Sequence, residues 1–317
     1  MRRRIALLAA ALVGSLAVTA RADDFPSRAI TLIIPTSPGG SASVSGQIIA
    51  EALKRELKQS VTIVYKPGAA QALGTEQVVK ARPDGYTLGW TFEPDLASKM
   101  VADGASLSFK KEDLTHLGAA GFAPYFLWVK ADAPWKTLDE FVATGKAKGI
   151  SYSSSGVATM GHVYAEMFVR RAGIKATHVP YQGGGPATTA LLGGHVDMSV
   201  GSYGRMKQYM DSNLVRPLAI LVDERLPDLA EVPTLKEKGL DLPIQGQIYH
   251  HLFGPKGMPP AVVETITRAF ERAVQDPQTQ QALVKAGFDG RWLSAKATEE
   301  VWLKDFAVVE EALAQIK

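Results

Sequence analysis

Three times in this chain an apolar run ends, glycine and serine residues follow, and an amphipathic stretch begins. The three loops are Thr36-Ser37-Pro38-Gly39-Gly40-Ser41, Ser153-Ser154-Ser155-Gly156 and Tyr181-Gln182-Gly183-Gly184-Gly185-Pro186. A strand that feeds a short loop and then a helix is half of a parallel crossover, and parallel sheets need helices on both faces. The flanking residues fit that constraint. Ile30-Thr31-Leu32-Ile33-Ile34 reads as a buried strand, and residues 44–57 as a helix with Val44, Ile48, Ile49, Ala52, Leu53 and Leu57 on one face. Strands at 60–65 and 86–92 flank a helix through Glu76, Val78 and Val79, which stops at the turn signal Arg82-Pro83-Asp84-Gly85. The fold class is therefore α/β.

The pattern starts afresh after Leu117-Gly118-Ala119-Ala120-Gly121, with strands at 125–129, 150–153, 177–180, 196–200 and 216–222. Thr137 caps a helix at 137–147, and Met160, Val163, Tyr164, Met167 and Phe168 form one helical stripe opposite Glu166, Arg170 and Arg171. Towards the C-terminus, Pro260 opens a helix at 261–274 whose face is Val262, Ile266, Ala269, Phe270 and Val274, and residues 301–316 form the last helix. Two α/β lobes are expected: residues 23–122 with 247–317, and residues 123–246. Short crossovers near 122–124 and 243–247 would serve as a hinge.

The chain has no cysteine, so disulfides, thiolate metal sites and cysteine nucleophiles are excluded, and its stability must come from its core. Arg2, Arg3 and Arg4, the uncharged and mostly apolar residues 5–20, and Ala20-Arg21-Ala22 read as a cleaved secretory signal over residues 1–22, with Asp23 the first residue left. Cleavage removes four of the 35 basic residues and leaves 32 acidic ones, so the formal charge falls from +3 to −1. That balance gives no basic face for nucleic acid or an anionic membrane.

Glycine lets main-chain N–H groups approach a ligand, and a helix N-terminus carries partial positive charge, so each loop can hold an anion without Lys or Arg. Ser41, Ser154 and Thr159 add hydroxyls. No Lys-Ser or Lys-Thr follows the glycines, and no G-x-G-x-x-G occurs there, which argues against nucleotides. His116, His162, His178, His195, His250 and His251 include no H-E-x-x-H, and there is no G-x-S-x-G elbow. The reading is a binding protein, not an enzyme, with no cofactor and no metal. A hydrolase or isomerase acting on a small acid in the same cleft is the alternative, but no acid/base pair can be assigned to it. Trp90, Phe92, Tyr203 and Tyr249 would favour an aromatic or bulky ligand if they face the cleft.

From Phe25-Pro26-Ser27-Arg28 almost to the C-terminus the chain resembles the Bug-type extracytoplasmic receptors of tripartite tricarboxylate transporters. The resemblance rests on the order of Ile33-Ile34-Pro35 with Pro38-Gly39-Gly40-Ser41, Lys66-Pro67-Gly68-Ala69, Pro83-Asp84-Gly85-Tyr86-Thr87-Leu88, residues 178–187 and Val232-Pro233-Thr234. It implies a periplasmic Venus-flytrap fold that clamps an organic acid and passes it to membrane permease subunits; a receptor feeding a signalling partner shares the same residues. The chain is expected to act as a monomer. By this resemblance Thr36, Ser37, Gly39, Gly40 and Ser41 would hold a carboxylate, with Ser153, Ser154, Thr159, Gly183 and Gly184 facing them from the other lobe and Phe92 and Ser202 beside them. Relatives carry an aromatic where this chain has Thr36, Asp where it has Ser43, and Asp-Asn where it has Gly201-Ser202. An acidic pair there would suit an ammonium group, so its absence argues against an amino-acid ligand.

Overall fold

The computed structural model describes residues 25–242 and 246–316; the signal segment at 1–22 lies outside them, as does part of the second expected crossover. The first expected unit forms as read. Strands β1 (Ile30–Ile34), β2 (Val61–Tyr65) and β3 (Thr87–Glu93) alternate with helices α1 (Ser41–Leu57) and α2 (Ala72–Val79), and β1 pairs in parallel with both β2 and β3. A further helix, α3 (Asp95–Asp103), follows β3 and was not foreseen.

The expected restart after Gly121 is not a break. One strand, β4 (Leu114–Lys130), runs straight through it, with Leu117, Ala119, Ala120 and Ala123 fully buried. Its pairing shifts register between His116 and Gly118 and between Ala120 and Ala123. Such irregularities bend a strand without ending it, which is why a small-residue run that reads as a loop stays in the ladder. The crossover expected at 122–124 thus lies inside a strand.

After β4 come α4 (Leu138–Lys148), β5 (Ile150–Ser154), α5 (Met160–Ala172), β6 (Ala176–Pro180), α6 (Gly184–Leu192), β7 (Met198–Ser202), α7 (Tyr203–Asp211) and β8 (Val215–Ile220). The chain then returns through β9 (Gln247–Pro255), α8 (Pro260–Gln275), α9 (Pro277–Lys285), β10 (Asp289–Leu293) and α10 (Ala295–Ile316). The strand order is β2-β1-β3-β9-β4-β7-β5-β6, with β8 and β10 also on β4. Residues 114–124 of β4 pair with β9 in the first sheet, and residues 125–130 pair with β7 and β8 in the second. Two lobes therefore share one strand.

Local chemistry explains the helix ends and faces. Thr137 Oγ1 accepts the Glu140 N–H at 3.2 Å and caps α4 as expected. The stripe from Met160 to Phe168 on α5 is buried, although Glu166 is only half exposed because Tyr152 donates its hydroxyl to it. On α8, Val262, Ile266, Ala269, Phe270 and Val274 are buried. The Phe270 ring meets Trp90 edge-on at 5.8 Å, and the Trp90 indole N–H donates to Ser45 Oγ at 3.0 Å on α1. This contact holds α1, and so the first glycine loop, against the sheet. Truncating the fully buried ring, Phe270→Ala, is expected to lower unfolding free energy by about 3–5 kcal/mol; denaturant melts measure it, and a loss under about 1 kcal/mol would mean the site collapses around the cavity.

Candidate functional site

The first and third glycine loops meet main chain to main chain across the seam between the lobes. A Cβ built on Gly185 would lie 2.1 Å from Pro38 O, and one on Gly184 would lie 3.4 Å from Gly40 Cα. At 185 only glycine permits that approach. Ser37 Oγ donates to Gln182 O across the same seam. Further along it, Ser98 Oγ donates to Ala158 O at 2.5 Å, and the Met160 N–H, first in α5, donates to Asp95 Oδ1 at 2.9 Å. The structure is that of a closed cleft.

Two small adjoining voids, the second slightly the larger, lie in the seam and share Thr36, Phe92 and Ser155 in their walls. Gly68, Gln71, Thr159 and Gly183 help to line the smaller. Gly40, Ser41, Tyr125, Gly184, Ser202 and Arg205 help to line the larger. Among the described residues no Asp, Glu or His lines either void. The N–H groups of Thr36, Ser37, Gly39 and Gly40 donate to no acceptor among the described residues. Thr36 Oγ1 is buried without a partner too. A buried polar atom left so is costly, and a ligand that accepts or donates there relieves it.

Thr36, Gly40, Ser41, Phe92, Thr159, Gly183, Gly184 and Ser202 thus reach the voids, whereas Ser37, Gly39, Ser153 and Ser154 do not line them. Several expected hydroxyls are already engaged. Ser153 Oγ donates to Ala187 O at 3.1 Å, and Thr159 Oγ1 donates to Gly156 O at 2.8 Å. Ser154 Oγ lies 2.7 Å from His178 Nε2 and 2.9 Å from Gly156 O. Ser41 Oγ sits 3.0 Å from His250 Nε2, and His250 Nδ1 lies 2.8 Å from Gly121 O. A carbonyl only accepts, so Nδ1 carries the proton; burial holds this imidazole down to about 4, hence neutral, and Nε2 accepts from Ser41. Of the aromatic residues proposed for the cleft, only Phe92 reaches it. Trp90 stacks on His250 at 5.6 Å in the core, Tyr249 donates to Asp305, and Tyr203 packs on Phe126.

Arg205 was missed. It lies in the first turn of α7, 4% exposed, and its Nη2 donates to Ser199 Oγ at 3.1 Å and to Val200 O at 3.4 Å. Its Nε is buried with no partner. A Cβ on Gly201 would fall 1.8 Å from Nη2, so Gly201 is where the guanidinium finds room. The Gly-Ser that read as a lost acidic pair is a slot for a cation. A small residue four places before an arginine at a strand-to-helix junction was the available signal.

Asp95, in the first turn of α3, accepts the Tyr125 hydroxyl at 2.9 Å as well as the Met160 N–H. Burial pushes its carboxyl from 3.8 up to about 7, against the pull of Tyr125, the Met160 N–H and Arg205. A folded-state value above the unfolded one means that the native protein holds the proton more tightly; the associated stability is present in acid and is lost as pH rises to about 7. Asp95→Asn removes that dependence, so its melting temperature should gain on the parent's between about pH 4 and about pH 7 and then level off. Thermal melts over that range test this, and a gap independent of pH would contradict it.

Comparison with known proteins agrees with the segments noted above. The profile of the "Tripartite tricarboxylate transporter family receptor" matches residues 46–310. A Cupriavidus necator protein described as the UPF0065 protein in the gbd 5' region is 31% identical, over 98% of this chain and 95% of its own length. Protein BugT of Bordetella pertussis is 28% identical, over 86% of this chain and 84% of its own. An R. palustris structure solved with adipate shares the fold, with a TM-score of 0.86 at 22% identity, over 92% of this chain and 98% of that one. The chain belongs to the family of tripartite tricarboxylate transporter receptors.

Proposed function

We propose that this protein is a periplasmic solute receptor that captures a small carboxylate between its lobes and delivers it to the permease subunits of a tripartite tricarboxylate transporter. The observation that carries this reading is the set of unused N–H groups at Thr36, Ser37, Gly39 and Gly40, beside the unpartnered Thr36 hydroxyl, in a seam closed by the opposite lobe. Main-chain amides at the start of α1 suit an anion. Thr36, Gly40, Phe92, Thr159, Gly183, Gly184 and Ser202 are the residues taken to touch it, with Ser155 added. The signal at 1–22 sends the chain to the periplasm, where it works as a monomer.

The lobes divide at residues 122 and 247, and closure about β4 and β9 desolvates the ligand, as hinge motions do in periplasmic binders. A ligand stabilises the closed form only by contacts it makes there and not in the open one. Among the described residues no carboxylate or imidazole that could serve as general acid or base lines the voids, which favours binding over catalysis. Membership of a transporter's receptor family favours a permease over a signalling partner.

Isothermal titration against a panel of small organic acids tests the reading, and no heat from any of them would sink it. Closure has its own test. Gly185→Ala places a methyl 2.1 Å from Pro38 O only when the lobes meet, so ligand affinity should fall by at least about tenfold, the equivalent of 1.4 kcal/mol, while the ligand-free melting temperature holds. Unchanged affinity would mean that the bound state does not bring these loops together.

A further inference from the structure

We propose that His162 is a positioning residue for capture: its neutral Nδ1 holds the turn at 156–160 in the shape that meets the first lobe, and acid weakens binding by protonating it. The inference rests on the carboxylate reading above and adds a residue that lines neither void. The turn has little to hold it. Ala158 has φ 62, a left-handed conformation that costs an L side chain about 1–2 kcal/mol. Its N–H donates to no main-chain acceptor among the described residues, but to His162 Nδ1 at 3.3 Å. Its carbonyl accepts Ser98 Oγ, from α3 of the first lobe, at 2.5 Å. Thr159 lines the smaller void, and the Met160 N–H donates to Asp95 across the seam. Residues 158, 159 and 160 thus all serve the seam, and an imidazole on α5 anchors the first of them.

A main-chain N–H only donates, so Nδ1 accepts and the ring is neutral, with its proton on Nε2. Protonation turns Nδ1 into a donor facing another donor, and the Ala158 N–H loses its partner. The surroundings resist that charge. His178 of β6 stacks on the ring at 4.0 Å, and Tyr152 of β5 stacks on His178 at 4.9 Å. Ser154 Oγ, at the end of β5, engages His178 Nε2. Glu166, one turn further along α5, favours the imidazolium, but it is shared with Tyr152 and with Arg170. Burial outweighs it and holds His162 below its ordinary 6.5. Burial, and then His162, hold His178 down to about 4. The set turn therefore binds the proton less tightly than the loosened one, so its stability is full above 6.5 and is lost as pH falls below it. Asp95 acts in the opposite sense around about 7, so the test compares proteins that share it.

Nitrogen NMR of the whole protein, with His162→Asn identifying the ring's signals, reads tautomer and titration without any ligand. The expected result is an unprotonated Nδ1 at about pH 7.5. As the ring charges, hydrogen-exchange protection of the Ala158 amide should fall at least about tenfold. Asn offers an acceptor that acid does not remove, so His162→Asn should keep the protection down to about pH 5, whereas His162→Ala should lack it throughout. A proton on Nδ1 at about pH 7.5, or protection at Ala158 that ignores the charge on the ring, overturns the proposal. Isothermal titration with succinate and adipate reads the consequence for capture. Between about pH 7.5 and about pH 5 the parent's affinity should fall at least about tenfold relative to that of His162→Asn, since the probe's own protonation and that of Asp95 are common to both. Parallel pH profiles overturn the proposal. No heat from either acid with the parent counts against the carboxylate reading, and the ligand-free NMR then decides this inference by itself.

Discussion

Everything at the cleft depends on two peptide backbones touching across it. Gly185 comes so close to Pro38 O that no side chain fits between them, and Gly40 and Gly184 meet beside it. Such a contact brings main-chain dipoles from two helix N-termini into one small volume, and it does so without bulky side chains that would fill the volume themselves. The rest of the first lobe holds that geometry. Trp90 is wedged between Ser45 of α1 and Phe270 of α8, and His250 ties Ser41 to the carbonyl of Gly121 on β4. A loop made of glycine and serine is soft; the layer beneath it is aromatic and hydrogen-bonded, and supplies the stiffness.

The electrostatic design is asymmetric. The first lobe offers partial charges on fixed N–H groups, each of which costs less to bury unpaired than a full charge does. The second offers a full charge on Arg205, which costs several kcal/mol to bury alone. Asp95 sits between these regimes: its carboxyl is raised by burial yet held by a phenol and a main-chain amide from the other side of the seam. Closure of the lobes thus assembles groups of both signs.

How much of this was legible in the sequence follows from the range of the interactions involved. Alternation of apolar runs with 3.6-periodic stretches is local, so β1 to β3, α5 and α8 could be read within a few residues of their ends. The family resemblance set the first glycine loop facing the other two, and the first and third do meet main chain to main chain. β4 was not legible as one strand, because Gly118, Ala119, Ala120 and Gly121 look like a loop until partners on β9 and β10 supply their hydrogen bonds. The hydroxyls' hydrogen-bond partners were hidden for a similar reason. Ser153, Ser154, Thr159 and Ser41 are polar and near the cleft, but their partners, among them Ala187 O, His178 and His250, are set by tertiary packing. Arg205 escaped because an arginine on a helix normally faces water, and its slot is made by the absence of a side chain at Gly201.

The shared strand has a mechanical meaning. Because β4 is paired along its length, to β9 over residues 114–124 and to β7 and β8 over residues 125–130, the lobes are joined by a ribbon and not by loose string. A ribbon resists stretching and in-plane shear, both of which would break ladder hydrogen bonds, and yields most readily to twist. Relative movement of the lobes would then take the form of a screw-like rotation about β4, the two glycine loops separating and returning in register.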